Sequence, residues 1–265
     1  MISTLAHINP SAHIGNTVRI DPFAVIHEDV VIGDDSHIMS TVVIMPGTTI
    51  GKACQVFPGA VIGAVPQDLK FVGEKTTVEI GDNTTIRECV TINRGTKDRW
   101  KTVIGNNCLL MAYAHVAHDC LLGNHVIIAN AVQLAGHVEV GDYAIIGGLA
   151  GAPQFARIGA HTYIEGHTVI HKDIPPYIKA GRIPLSYGGV NSVGLKRRGF
   201  SADRINSILD IYRIIYNKSM NTSQALNFIE EELPATDERD VILTFIRESG
   251  RGIVKRFTKG SMEDE

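Results

Sequence analysis

Six histidines fall between positions 115 and 167, namely His115, His118, His125, His137, His161 and His167, and one of them, His118, is followed directly by Asp119. An imidazole beside a carboxylate has the parts for general-base chemistry. The ring takes the proton of an attacking hydroxyl, and the acidic partner orients the ring and supports the imidazolium. Gly136 lies eighteen positions after His118. A glycine brought close to that ring would offer a backbone N–H to a tetrahedral oxyanion with no side chain in the way. Together these parts suit acyl transfer to a hydroxyl. The spacing His115-x-x-His118 also invites a metal reading, but in extended chain such a pair points to roughly opposite faces, so no metal site is expected. Cys54, Cys89, Cys108 and Cys120 form no Cys-x-x-Cys pair, which argues against a zinc or redox motif.

Whether these groups meet depends on the scaffold, and the scaffold is periodic. Aliphatic residues recur every six positions from Ile8 through Ile62, again at Ile80, Ile86 and Ile92, from Ile104 to Ile146, and at Ile158, Ile164 and Ile170. Neither a helix nor a simple strand has that period. Two positions before each aliphatic the side chain is small or β-branched, as at Ala24, Cys54, Cys108, Ala114, Cys120 and Val132, and glycine often follows it. This is the hexapeptide repeat of a parallel β-helix, in which three hexads close one triangular coil of about 18 residues and coils rise by ~4.8 Å. The left-handed winding is taken over from the class of hexapeptide proteins. Residues 18 apart stack, so His118 is expected under Gly136, Gly136 under Gln154, and Asp119 under His137. Cysteines 54, 108 and 120 then fall in the small inward position, where packing explains them.

The period lapses at about 64–77 and 94–102, two polar, turn-rich stretches that read as loops thrown out from a rigid scaffold. After Ile170 it ends. The segment 173–184, DIPPYIKAGRIP, reads as a proline-bearing linker. From about Gly194 the pattern is helical, with Ser201, then Asn221 or Thr222, then Thr236 as helix-opening residues, and Gly250 and Gly252 closing the last helix. The chain therefore divides into a β-helix over 1–188 and an α-helical C-terminal domain over 189–265 that would cap the last coil.

Across 191–219, Lys196, Arg197, Arg198, Arg204, Arg213 and Lys218 face only Asp203 and Asp210, a local positive excess in a chain of net charge −3. That segment is either a solvated helix face or a dock for an acidic partner or a phosphate. The overall charge excludes non-specific nucleic-acid binding. No apolar run reaches the roughly 20 residues of a membrane span, and no secretion signal opens the chain, so a cytoplasmic protein without a transmembrane segment is expected.

The strings PQDLKF (66–71), IRECVTINRGT (86–96), LLMAYAHVAHDC (109–120), LAGHV (134–138), IPPY (174–177) and GVNSVGLKRRGFS (189–201) resemble the UDP-N-acetylglucosamine O-acyltransferases that open lipid A biosynthesis, over nearly the whole chain. Generic hexapeptide acetyltransferases share the repeat but lack these strings together. The resemblance implies a homotrimer with sites in clefts between subunits. It implies transfer of a 3-hydroxyacyl chain from acyl carrier protein, where phosphopantetheine carries it, to the sugar 3-hydroxyl of UDP-N-acetylglucosamine, with no other cofactor. It gives His118 the role of general base, Asp119 that of orienting it, and Gly136 the oxyanion N–H. Asp68, Lys70, His115, His137 and Gln154 would contact substrate or acyl chain, and Asn191, Arg197 and Arg198 the nucleotide and phosphopantetheine arm. Gly166 matches the position that bounds the acyl groove, and a glycine there implies a long chain. Pro153 and Asn93 stand where the family usually has histidine, Val193 where an acidic residue is common, and 181–189 lacks a Gly-Asn-His-Ala pattern. Three other readings keep the scaffold: N-acyl transfer to a 3-amino UDP-sugar, a non-catalytic binding prism, and a zinc carbonic anhydrase.

Overall fold

The computed structural model describes residues 1–216 and 219–257. Its strands are mostly two residues long and recur every six positions, as at His115–Val116, Leu121–Leu122 and Ile127–Ile128. They assemble into three sheets of eight, eight and ten strands, with each coil contributing one strand to each sheet. In uninterrupted coils the pairing is parallel and 18 positions apart: His115 pairs with Gln133, and Gln133 with Gly151. The architecture is the expected left-handed parallel β-helix with a helical C-terminal region.

The inward column explains its stability. Ile44, Ile62, Ile92, Val116 and Leu134 are completely buried, and each such side chain contributes about 1.5–3 kcal/mol relative to exposure. Ala152, an irregular residue in the period, also points inward and is buried. Cys54, Cys108 and Cys120 occupy the small inward position, and burial pushes the Cys120 thiol up to about 12. A thiol so held is a packing group, not a nucleophile.

The two loops leave the prism at one corner. Val61 pairs with Thr91, thirty positions on, and Thr91 with His115, twenty-four on, after which the step returns to eighteen. Both excursions lie between a strand of the first sheet and a strand of the second, directly below the turn 117–120 that carries His118.

The segment 173–184 is not a linker. Ile178–Gly181 pairs parallel with Tyr163–Ile164, and Ser186–Val190 runs antiparallel beside it, so the third sheet continues to Val190. Pro175 and Pro176 precede the strand and Pro184 lies in the turn after it, where they remove no ladder hydrogen bond, and Ile174, Ile178 and Ala180 are buried like the hexad residues before them. Among the described residues four helices follow: α1 (Ser192–Arg197), α2 (Ala202–Ile215), α3 (Thr222–Glu232) and α4 (Asp237–Arg247). Ser201, Asn221 and Thr236 cap the last three as expected, each side chain accepting a hydrogen bond from the third helical N–H. Helix α1 starts before Gly194, capped by Asn191, and α4 ends before Gly250. The Tyr212 hydroxyl of α2 donates to the Pro176 carbonyl at 2.6 Å, tying the helices to the last coil.

The basic segment is partly neutralised within the chain. Arg204 pairs with Glu238 and Arg213 with Asp210, while Lys196 and Arg197 are exposed. Lys218 lies outside the described residues. Among the described residues no helix is long and apolar enough to cross a membrane.

Candidate active site

The strand His115–Val116 delivers His118 to the corner between the first and second sheets, where its ring is buried. Its Nδ1 lies 2.8 Å from Asp119 Oδ2. Asp119 is wholly buried and left-handed, at φ 60°. The second loop satisfies its carboxylate: Thr96 donates its N–H to Oδ1 at 2.9 Å and its hydroxyl to Oδ2 at 2.6 Å, and Arg99 donates its N–H to Oδ1 at 3.2 Å. The Asp119 N–H in turn donates to Thr102 Oγ1 at 2.9 Å. Burial alone would raise the carboxyl pKa. The hydrogen bonds from Thr96, His118 and Arg99 outweigh it and hold the group below the usual carboxylate range. An ionised Asp119 accepts a hydrogen bond from the Nδ1–H of His118, which assigns the tautomer and leaves Nε2 with its lone pair.

Gly136 sits over that ring as the stacking predicts. A Cβ at 136 would lie 2.4 Å from His118 Cε1, so no other residue fits without moving the imidazole. The Gly136 N–H has no acceptor among the described residues. His137 stands edge-on to His118, ring centres 5.0 Å apart, and stacks on Phe155 at 4.3 Å. Its Nε2 lies 3.8 Å from Asp119 Oδ2, and its Nδ1 lies 3.1 Å from Asp98 Oδ2 but out of line for a hydrogen bond. Burial lowers the His137 pKa, so near neutral pH this ring is uncharged.

The two loops close a cavity of about 490 Å³ beside the dyad, bounded by Asp68, Lys70, Thr96, Asp98, His137 and Phe155. Asp68 turns the first loop by accepting from the Lys70 N–H at 3.0 Å. His115 lies on the outer face of the first sheet, with Nδ1 2.7 Å from Thr91 Oγ1, and burial and the nearby His118 lower its pKa. It edges a shallow, largely apolar groove of about 520 Å³ that runs over Gln133, Gly151, Pro153 and Val169. A Cβ at Gly151 would meet only the Gln133 carbonyl at 3.9 Å, so this glycine deepens the groove and is not demanded by packing. Gln154 is exposed on the same corner above Gly136, and its carbonyl accepts from Arg251. Gly166 lies at the far edge of the first sheet, over Gly148.

Asn191, Arg197 and Arg198 are elsewhere. They stand at the corner between the second and third sheets, where Arg198 donates to the Tyr143 carbonyl at 2.9 Å and covers the Tyr143 ring. Asn191 is buried, its amide donating to the His161 carbonyl and accepting from Gly194 N–H. One chain alone does not bring these three to His118. Sequence reasoning missed Thr96 and Arg99, the residues that hold Asp119. Their signal was indirect: a carboxylate buried at a β-helix corner must find donors, and the adjacent polar loop was the nearest source.

Donor atoms of His118, Asp119 and His137 lie within 4.8 Å of one another, close enough on distance alone to grip a cation. Three of the Asp119 hydrogen bonds and the His118 Nδ1 proton already occupy the same lone pairs, so the arrangement favours a hydrogen-bonded dyad over a metal site.

The chain is similar to known proteins over nearly its whole length. Residues 173–254 match the family model described as Udp N-acetylglucosamine O-acyltransferase, Domain 2, and 11–45, 29–64 and 101–136 match the bacterial transferase hexapeptide repeat. The chain is 43% identical to an acyl-[acyl-carrier-protein]–UDP-N-acetylglucosamine O-acyltransferase of Xanthomonas oryzae pv. oryzae, over 96% of this chain and 98% of that protein. It is 40% identical to the enzyme of the same name from Thiobacillus denitrificans, over 96% and 99%. The crystal structure of a UDP-N-acetylglucosamine acyltransferase from Bacteroides fragilis superposes with a TM-score of 0.94 at 52% identity, covering 96% of this chain and 100% of that one.

Proposed function

This chain belongs to the UDP-N-acetylglucosamine O-acyltransferase family, and on that premise we propose that His118 is the general base of an acyl transfer from acyl carrier protein to the 3-hydroxyl of UDP-N-acetylglucosamine, the first step of lipid A biosynthesis. The observation that carries the reading is the buried His118–Asp119 pair lying directly under the unpaired N–H of Gly136. His118 Nε2 takes the proton of the sugar hydroxyl as its oxygen attacks the thioester carbonyl. The negative charge that forms on the carbonyl oxygen is received by the Gly136 N–H, and ionised Asp119 supports the imidazolium. Collapse of the tetrahedral intermediate breaks the carbon–sulfur bond, and the proton passes from His118 to the departing phosphopantetheine thiolate. No cofactor is needed beyond that arm.

Asp68 and Lys70 suit the sugar and its phosphates, since they share the loop cavity with His137. The groove past His115 and Gly151 toward Gly166 suits a long 3-hydroxyacyl chain. Asn191, Arg197 and Arg198 would reach the nucleotide only from another copy, which favours a homotrimer with its sites in the clefts between subunits. The lack of a membrane-crossing helix among the described residues is compatible with a cytoplasmic enzyme. Transfer to a 3-amino sugar is not favoured, because the full-length relatives are named O-acyltransferases.

The test is a mass-resolved assay with UDP-N-acetylglucosamine and acyl carrier proteins carrying 3-hydroxyacyl chains of several lengths. Transfer to the sugar is expected, fastest with long chains, and His118→Ala should lower kcat by about a thousandfold. Absence of transfer to any UDP-sugar would end this reading. Light scattering of the purified protein checks the trimer.

A further inference from the structure

A chain of charged side chains joins the second loop to the C-terminal helices. Arg99 touches Asp119 twice, through its N–H to Oδ1 at 3.2 Å and through a guanidinium nitrogen to the Asp119 carbonyl at 3.4 Å. Its other terminal nitrogen donates to Glu139 Oε1 at 2.5 Å. The second oxygen of Glu139 lies 3.3 Å from Arg157 Nε. Glu139 and Arg157 are register neighbours in the second sheet, so the coil itself sets their approach. Arg157 then donates to Glu248 Oε2 at 3.0 Å, at the C-terminal end of α4, and lies over the Phe245 ring of that helix at 4.8 Å.

The charges alternate along this path, and Arg99, Glu139 and Arg157 are each only about a quarter to a third exposed, so water screens them less than a free surface pair. None of Arg99, Glu139, Arg157 and Glu248 bounds the loop cavity. We propose that Arg99 is a positioning residue for the His118–Asp119 pair, and that helix α4 fixes its setting through Glu139 and Arg157. This rests on the reading of His118 as general base. Asp119 holds a left-handed conformation in the turn one coil above the second loop, and Thr96 and Arg99 are the loop residues that hold its carboxylate. When Arg99 is released from Glu139, its brace on the Asp119 carbonyl loosens and with it the aim of the imidazole. Substrate contacts in the cavity stay as they were. The effect therefore belongs in kcat and not in KM.

The experiment measures kcat, KM for both substrates and melting temperature on the full chain for Arg99→Ala, Arg99→Lys, Glu139→Gln, Arg157→Gln and the double variant Arg99→Ala with Glu139→Gln. Arg99→Ala is expected to lower kcat about tenfold with KM values within about twofold, and Arg99→Lys to restore part of the loss. Glu139→Gln and Arg157→Gln should each lower kcat about threefold, and the double variant should be no slower than Arg99→Ala alone, because all act through one contact. Unchanged kcat in the folded variants, a loss confined to KM, or multiplying losses in the double variant would overturn the proposal. If Arg99→Ala fails to fold, Glu139→Gln and Arg157→Gln decide by the same criteria. An active His118→Ala enzyme would instead remove the reading beneath it, whereas a dead His118→Ala beside a silent Arg99→Ala removes this inference alone.

Discussion

At the corner between the second and third sheets, the N–H of Asn106 donates to Asn124 Oδ1 at 2.9 Å, and that of Asn124 to Asp142 Oδ1 at 2.7 Å. Each side chain caps the amide of the coil before it. At the corner between the first and second sheets, the same hexad position is held by His118, Gly136 and Gln154. Gly136 offers no side chain to cap the His118 amide, and exposed Gln154 does not cap that of Gly136. One backbone thus produces two outcomes. At the first of these corners the stacked Asn or Asp uses up the N–H in holding coils together. At the second the N–H stays uncapped, as the proposed oxyanion role requires, and the acidic residue of that corner, Asp119, is satisfied sideways by the loop and not by the stack. The proposed acyl-transfer site lies where this capping ladder is left unfinished.

Four changes test that contrast. The largest effect is expected from Asp119→Asn, which keeps the shape but lets the amide present an N–H toward His118 and spoils the tautomer. It should lower kcat about a hundredfold, read by steady-state kinetics at saturating substrate. Gln154→Asp should come next. It places a carboxylate eighteen positions beyond Gly136, as Asp142 stands to Asn124, and a cap on the Gly136 N–H should lower kcat about tenfold while leaving melting temperature level or higher. If activity is untouched while a structure shows the new cap formed, the oxyanion role of Gly136 is wrong. Asp142→Ala does the reverse at the other corner. It uncaps Asn124 and should cost about 1–2 kcal/mol in urea unfolding with kcat unchanged.

The smallest effect concerns His161, in the aromatic stack of that same structural corner, with Tyr143 and Tyr177 on its two sides. Burial, and then the charge of Arg198, lower its pKa to about 4. The unfolded chain takes up a proton near the ordinary histidine pKa that the native chain refuses until about 4. Stability from this group is therefore full above about 6.5 and declines as pH falls toward 4. His161→Gln should flatten the slope of unfolding free energy across that window. His115 and His137, also lowered by burial, keep part of it.

Much of this was legible in the residue order. Six-residue spacing gave the coil and the inward cysteines, and cap residue types ahead of helical apolar patterns gave Ser201, Asn221 (or Thr222) and Thr236, because each depends on neighbours within one turn or on a period that every hexad repeats. The stack of His118, Gly136 and Gln154 followed as well, since no loop interrupts the chain between them and one coil is eighteen residues. The strand at Ile178–Gly181 was missed because two prolines resemble a linker until the edge they precede is seen to accept another strand.

The chain's order alone determined a three-sided prism of eighteen-residue coils, the pairing of an imidazole with a carboxylate, and a glycine above them. Only the tertiary structure decided that Thr96 and Arg99 hold that carboxylate, that both loops open at the same corner, that Arg204 and Arg213 are already neutralised, and that Asn191 caps a helix. The physical reason is that a repeat carries its own ruler, so stacked positions can be counted, whereas an inserted loop breaks the count. Which donors a buried carboxylate meets then depends on the path the loop takes through space.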